Sequence, residues 1–253
     1  MEIFAFNLKL YEAKQPLGGY GGYFHKLKEL DTNGKSVIFF PDYTSIRFFA
    51  DLEDDDILSK KIFVGAQAVY PEETSAAVGK ITAKAARAAG CRYALVGHSF
   101  NRAEGLKDEE AALMVKSCLE NELSPVICIG ESKEEHLAKV TLPKLEYQLL
   151  YALRHVEPES FSDLIVAYEP IWSIGKDGIP AEPSKVNEIL EALVSGLAGT
   201  YKQVEEIRFL YGGNIVPENV ASFIGQPMIS GVLVGGASAD AEKVAEIVNY
   251  EKQ

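Results

Sequence analysis

The stretch "DLIVAYEP", Asp163 to Pro170, decides the fold. Leu164 to Tyr168 form a near-continuous apolar run, the pattern of a strand buried on both faces, as in a parallel sheet covered by helices. At Glu169 the run turns polar, and Pro170 follows at once.

Seven further runs share this character: "IFAFNL" from Ile3, "SVIFFP" from Ser36, "KIFVGAQ" from Lys61, "RYALVGH" from Arg92, "SPVICIGE" from Ser124, "IRFLYGG" from Ile207 and "SGVLVGG" from Ser230. Longer segments with helical spacing separate them. "EETSAAVGKITAKAARAAG", 72–90, ends in a glycine suited to a C-terminal cap, Gly90. "DEEAALMVKSCLENEL" opens at Asp108 on acidic residues that favour a helix N-terminus, and "AEPSKVNEILEALVSGLAG" offers Ser184 as its cap. Strand and helix alternate about eight times with no linker, low-complexity tract or charge block between them. An open doubly wound sheet uses fewer strands and a Gly-rich first turn, so the count predicts an α/β fold with parallel strands, a single (β/α)8 barrel over 1–253.

The 253 residues are 47% apolar and 25% charged, the composition of a folded globular chain. No run approaches the roughly 18 apolar residues of a membrane span, and Met1 leads into "EIFAFNLKL" without the pattern of a signal peptide, so a cytoplasmic protein is expected. Cys91, Cys118 and Cys128 are widely spaced in apolar segments, giving neither a disulfide framework nor a metal-binding spacing, and read as reduced core residues. A net charge of −12, with no basic run, disfavours nucleic acid and anionic membranes as partners. An anionic ligand therefore needs a local site that overcomes the global field.

In such barrels the chemistry comes from the C-terminal ends of strands. Polar groups gather there: Asn7 and Lys9 after the first strand, His98 after the fourth, Glu169 after the sixth, Gly212, Gly213 and Asn214 after the seventh, Gly235 and Gly236 after the eighth. Glu169 is a base for a carbon-bound proton if burial raises its proton affinity, and Pro170 is a stiff anchor from which "IWSIGKDG" moves as a body. His98 precedes "SFNRAEG", where a short helical turn aims N–H groups at the ring and favours a neutral imidazole that donates to a carbonyl oxygen. Lys9 supplies a cation for an enolate oxygen or a phosphate. Asn7, on the same side of the strand by its period of two, holds that ammonium or donates to the oxygen itself. The glycine pairs leave room for an oxyanion at backbone N–H groups. "GGYGGY" from Gly18 lacks the Lys-Ser/Thr of a phosphate loop and reads as a turn, while His25, His136 and His155 match no chemistry.

These residues resemble the triosephosphate isomerase family over essentially the whole chain. The likeness rests on "FNLK" (Phe6 to Lys9), "GAQAVYPEE" (Gly65 to Glu73), "LVGHS" (Leu95 to Ser99), "CIGE" (Cys128 to Glu131), "AYEPIWSIG" (Ala167 to Gly175), "YGGN" (Tyr211 to Asn214) and "GVLVGGAS" (Gly231 to Ser238), in the family's order. The resemblance implies a TIM barrel interconverting dihydroxyacetone phosphate and D-glyceraldehyde 3-phosphate without metal or organic cofactor. It implies Glu169 as base, His98 as neutral electrophile, Lys9 as electrostatic stabiliser with Asn7 beside it, and Gly175, Asn214, Gly235 and Gly236 as phosphate contacts. It also implies a homodimer.

The chain departs from the family in five places. Phe100, Asn101 and Arg102 replace Glu-Arg-Arg after "GHS", and Ala76 to Lys80 replace the usual Ala-Phe-Thr-Gly-Glu of the third loop, which leaves a monomer open. Lys176 to Pro180 replace the usual lid sequence, with a proline near its second hinge, and Leu8 and Asn214 stand where the family has Trp and Ser. An isomerase of another sugar phosphate and a catalytically weakened relative with a binding or assembly role remain as alternatives.

Overall fold

The computed structural model of the protein describes residues 1–10, 26–27, 30–51, 62–72, 76–175 and 178–251. The "GGYGGY" turn and His25 lie outside these residues, as do Lys176 and Asp177 of the lid.

Eight parallel strands close into a barrel in sequence order. They are β1 (Glu2–Asn7), β2 (Lys35–Phe40), β3 (Ile62–Ala66), β4 (Tyr93–Val96), β5 (Ser124–Ile129), β6 (Ile165–Tyr168), β7 (Arg208–Tyr211) and β8 (Ile229–Val234). Closure comes from β8 pairing back onto β1, with Ile3 opposite Gly231 and Phe6 opposite Val234. The described helices are α1 (Ile46–Asp51), α2 (Ala83–Ala88), α3 (Ser99–Ala103), α4 (Asp108–Glu120), α5 (Lys133–Leu137), α6 (Thr141–Leu153), α7 (Pro183–Leu197), α8 (Val220–Ile224) and α9 (Ala241–Val248).

The two-residue period of a strand sorts its side chains into two cores. Ile3, Ala5, Ile38, Phe40, Leu95, Val126, Cys128, Ile165, Ala167, Leu210 and Leu233 fill the barrel interior as one cluster. Their neighbours in sequence, among them Phe4, Phe6, Phe39, Val166 and Phe209, pack outward against the helices in a larger one. Burying each such side chain contributes roughly 1.5–3 kcal/mol, which is why runs without polar interruption are stable here as strands. Carried to the end of β1 and one step past the other strands, the inward parity reaches Asn7, Gln67, Gly130, Glu169, Gly212 and Gly235. The site is thus the top layer of the barrel interior.

Two sequence expectations are corrected. Among the described residues of the helix read over 72–90, only Ala83–Ala88 are helical, because Gly79 takes φ +75, outside the helical region, and the Thr82 side chain caps the Ala85 N–H at 3.1 Å. Gly90 follows it with φ +109, and a Cβ there would come within 2.4 Å of the Ala50 Cβ. Ser184 is not the cap of α7. Pro183 occupies the first helical turn, where its missing N–H costs nothing, so the cap position falls to Glu182, and the Ser184 hydroxyl donates to the Glu182 carboxylate at 2.8 Å. Helix α4 does begin at Asp108, with Asp108, Glu109 and Glu110 in its first turn.

Candidate active site

A cavity of about 600 Å³ opens at the C-terminal rim of the barrel. Asn7, Lys9, His98, Glu169, Gly175, Asn214, Gly235 and Gly236 all line it.

Glu169 is 5% exposed, and its backbone N–H donates to Ile129 O at 2.7 Å. Two glycines make its place. A Cβ on Gly130 would fall 1.9 Å from the Glu169 carbonyl oxygen, and one on Gly212 would fall 2.7 Å from its Cγ. Oε1 lies 3.6 Å from His98 Nε2, and Oε2 has no hydrogen-bond partner. The lone pairs of that oxygen are thus not committed to any donor within the protein. Burial first, and then the Glu169 carboxylate, holds the Cys128 thiol well above its ordinary range, so the group beneath the base stays neutral.

His98 stands at the N-cap of α3, and its Nδ1 accepts the Phe100 N–H at 3.2 Å. That bond needs the Nδ1 lone pair, which puts the proton of a neutral ring on Nε2, on the side of Glu169. The short helical turn expected from "SFNRAEG" therefore selects the tautomer through a single N–H.

Lys9 lies in a turn beyond β1 with φ +51, so the strand period no longer applies to it. Asn7 was read as holding that ammonium or donating to the substrate oxygen; the contact observed is instead with the Lys9 main chain. Its Oδ1 accepts the backbone N–H of Lys9 at 3.1 Å, and it acts on the cation through the main chain. A Cβ on Gly235 would lie 3.4 Å from Lys9 Nζ, so the glycine at the end of β8 gives the ammonium its room.

The expected phosphate contacts lie at the eighth and seventh strand ends and in the lid segment. Gly235 and Gly236 open a 3₁₀ turn, Gly236–Ala239, whose first N–H groups have no partner within the turn. Asn214 has φ +48, and its side-chain amide donates to Gly178 O at 2.7 Å, so the residue in the serine's place binds the lid. Gly175 has φ +95. Beyond it the Ala181 N–H donates to the Tyr211 hydroxyl at 2.8 Å, seating the end of the lid on β7. The Gly212–Gly213 pair was read as an anion cradle, but Gly213 is absent from the cavity wall. A Cβ on Gly213 would strike Ser173 Oγ at 2.2 Å and the Tyr211 hydroxyl at 2.3 Å, so its role is to let the lid root and β7 meet.

Sequence reasoning missed a second buried carboxylate. Glu131 is 0% exposed, and its Oε1 accepts from Trp172 Nε1 at 2.8 Å and Tyr168 OH at 3.2 Å. His136, set aside as bland, brings Nδ1 to 3.3 Å from the same oxygen and its ring to 4.6 Å from the Trp172 ring. Burial and then the Glu131 carboxylate raise Tyr168 far above the usual tyrosine range. The signal was available: Glu131 follows β5 as Glu169 follows β6. Among the described residues no group of three or more His, Cys, Asp or Glu side chains is placed to hold a metal ion.

A carboxylate with an open oxygen, an imidazole N–H and an ammonium around one cavity can remove a proton beside a carbonyl and stabilise the oxyanion that results. Comparison with known proteins agrees. The family model described as triosephosphate isomerase matches residues 2–251. A triosephosphate isomerase of Syntrophotalea carbinolica is 34% identical over 226 residues, 87% of this chain and 87% of the relative. Relatives of the same name from Moorella thermoacetica and Caldanaerobacter subterraneus are each 36% identical, over 85% of this chain and 86% of their own length.

Proposed function

We propose, because the chain belongs to the triosephosphate isomerase family, that it interconverts dihydroxyacetone phosphate and D-glyceraldehyde 3-phosphate through an enediolate, with Glu169 as the base. The observation that carries the reading is the convergence of the Glu169 carboxylate, the His98 imidazole and Lys9 on one cavity.

Glu169 takes a proton from C1 of the ketone. The C–H electron pair becomes the C1–C2 double bond, and the carbonyl pair moves onto oxygen. His98 Nε2–H and the Lys9 ammonium meet that charge, in the division of labour between carboxylate and neutral imidazole described for this family. Return of the proton from Glu169 to C2, with transfer of the hydroxyl proton from O1 to O2, gives the aldehyde and restores the base. A positioned acid or base contributes about 10²- to 10⁴-fold, and a preorganised oxyanion donor about 3–4 kcal/mol.

The phosphate is held by backbone N–H groups of Gly175, Asn214, Gly235 and Gly236, with Lys9 offsetting a chain of net charge −12. The lid contacts of Asn214 and Tyr211 exclude water and keep the enediolate from losing its phosphate.

We also infer a homodimer serving glycolysis and gluconeogenesis in the cytoplasm. Leu10, Tyr43 and Val78 after β1, β2 and β3, and Phe48 and Phe100 in helices α1 and α3, are exposed apolar groups available to a second copy, and mass measurement in dilute solution tests it. Cys91, Cys118 and Cys128 are buried and form no disulfide, which suits a reducing compartment.

A coupled triose phosphate assay tests the reaction. Wild type turns over both substrates, and Glu169→Gln is slower by roughly 10²- to 10⁴-fold or more; near-normal isomerisation by the variant refutes the assignment.

A further inference from the structure

Lys9 holds a left-handed backbone, φ +51, which a residue with a Cβ keeps only where its surroundings enforce it. Side-chain amides grip both sides of it. Asn7 Oδ1 accepts the Lys9 N–H at 3.1 Å. From the end of β3, Gln67 Nε2 donates to Lys9 O at 2.8 Å and to Phe40 O at 3.0 Å, so both hydrogens of one amide are committed to main-chain carbonyls. The Phe40 carbonyl also accepts the Leu8 N–H at 3.0 Å, which ties the end of β2 to the residue before Lys9. Gln67 is half-buried, sits on the inward parity of β3 and is not part of the cavity wall.

We propose that Gln67 is a positioning residue for the reaction: by bridging the carbonyls of Phe40 and Lys9 it keeps the Lys9 backbone left-handed and so aims the ammonium at the anionic oxygens of the substrate. The proposal rests on the reading of Lys9 given above. Without the Gln67 donor the Lys9 carbonyl loses a partner and the left-handed turn loses one of its restraints. The backbone then relaxes toward the extended region, and because rotation about φ and ψ carries Cβ with it, the ammonium leaves its place beside Gly235. A residue that merely joined the strand ends would affect stability and leave the chemistry of Lys9 untouched.

The test is a double-mutant cycle in kcat/KM, with inorganic phosphate as a competitive inhibitor and thermal melting as the check on folding. Gln67→Met keeps the length and removes the donors. It is expected to lower kcat/KM by roughly 10- to 100-fold, the scale of a misplaced catalytic group, and to weaken phosphate inhibition severalfold. In a Lys9→Ala background the same substitution is expected to change kcat/KM by less than about twofold, because the group it positions is gone. Wild-type activity in folded Gln67→Met, or an equal loss in both backgrounds, overturns the proposal. Wild-type activity in Lys9→Ala removes the premise instead and is told apart by that single variant. If Gln67→Met does not fold, Gln67→Asn serves in its place: it retains the amide but withdraws it by one carbon, about 1.5 Å, and the same coupling is expected.

Discussion

Glu169 and Lys9 share one cavity and are held in it by opposite means. On the β6 side the proposed base is positioned by shape: Gly130 and Gly212 lack the Cβ atoms that would collide with its backbone and its Cγ, and its Oε2 is left open. On the β1 side the cation is positioned by hydrogen bonds to its main chain, from Asn7 and Gln67. The difference follows from what each group must do. A base cannot be aimed by donors on the lone pair it needs, because every such bond lowers its proton affinity. A lysine stem has too many rotors for a rim to fix by packing, so the point where the stem begins is fixed instead.

Adding a methyl on the β6 side is expected to do more damage than removing a bond on the β1 side. Gly130→Ala puts a Cβ 1.9 Å from a backbone oxygen, which has nowhere to go, and is expected to cost about 3 kcal/mol or more by urea midpoint. Stability within 1 kcal/mol of wild type would break the comparison there. Gly212→Ala meets the side-chain Cγ at 2.7 Å, which can yield, so about 1 kcal/mol of stability is expected to go. Because the base moves, its kcat is expected to fall on the order of 10- to 100-fold with KM little changed; a KM effect alone would contradict positioning by shape.

Asn7→Ala removes one hydrogen bond, with about 1 kcal/mol expected from stability. Its kinetic effect is expected to fall more on KM than on kcat, since the loosened group contacts the anion in both ground and transition states.

The smallest effect concerns the lid root and pH. Burial, and then Glu131, raises Tyr168, so the unfolded chain loses that proton near pH 10 while the folded chain keeps it. The unfolded state then binds fewer protons, and stability present below pH 10 declines above it. Tyr168→Phe is expected to flatten that alkaline decline in a melting series; an unchanged slope assigns it to other groups.

Much of this was legible in sequence because it is local. Apolar runs without alternation gave all eight strands, and reading the last residue of each run and the one or two beyond it placed Asn7, Lys9, His98 and Glu169 on the cavity wall. What escaped depends on pairs distant in the chain. Gln67 and Lys9 are 58 positions apart, and Glu131 and Trp172 are 41 apart, so neither contact leaves a spacing to detect. Glycine was the most misleading signal. At Gly213 it marks the room needed by Ser173 and Tyr211, not the room needed by a ligand, and composition cannot tell these apart. Ser184 was misread for a simpler reason: serine is the better cap by type, but Pro183 sets the helix start two residues earlier.

The central claim, proton transfer through Glu169, is tested most directly by running the isomerisation in deuterium oxide and examining the product by NMR. The open carboxylate oxygen predicts solvent deuterium in part of the product at the carbon beside the carbonyl, and loss of both label and turnover in Glu169→Gln. Product formed at the full rate with no solvent deuterium at that carbon would contradict it.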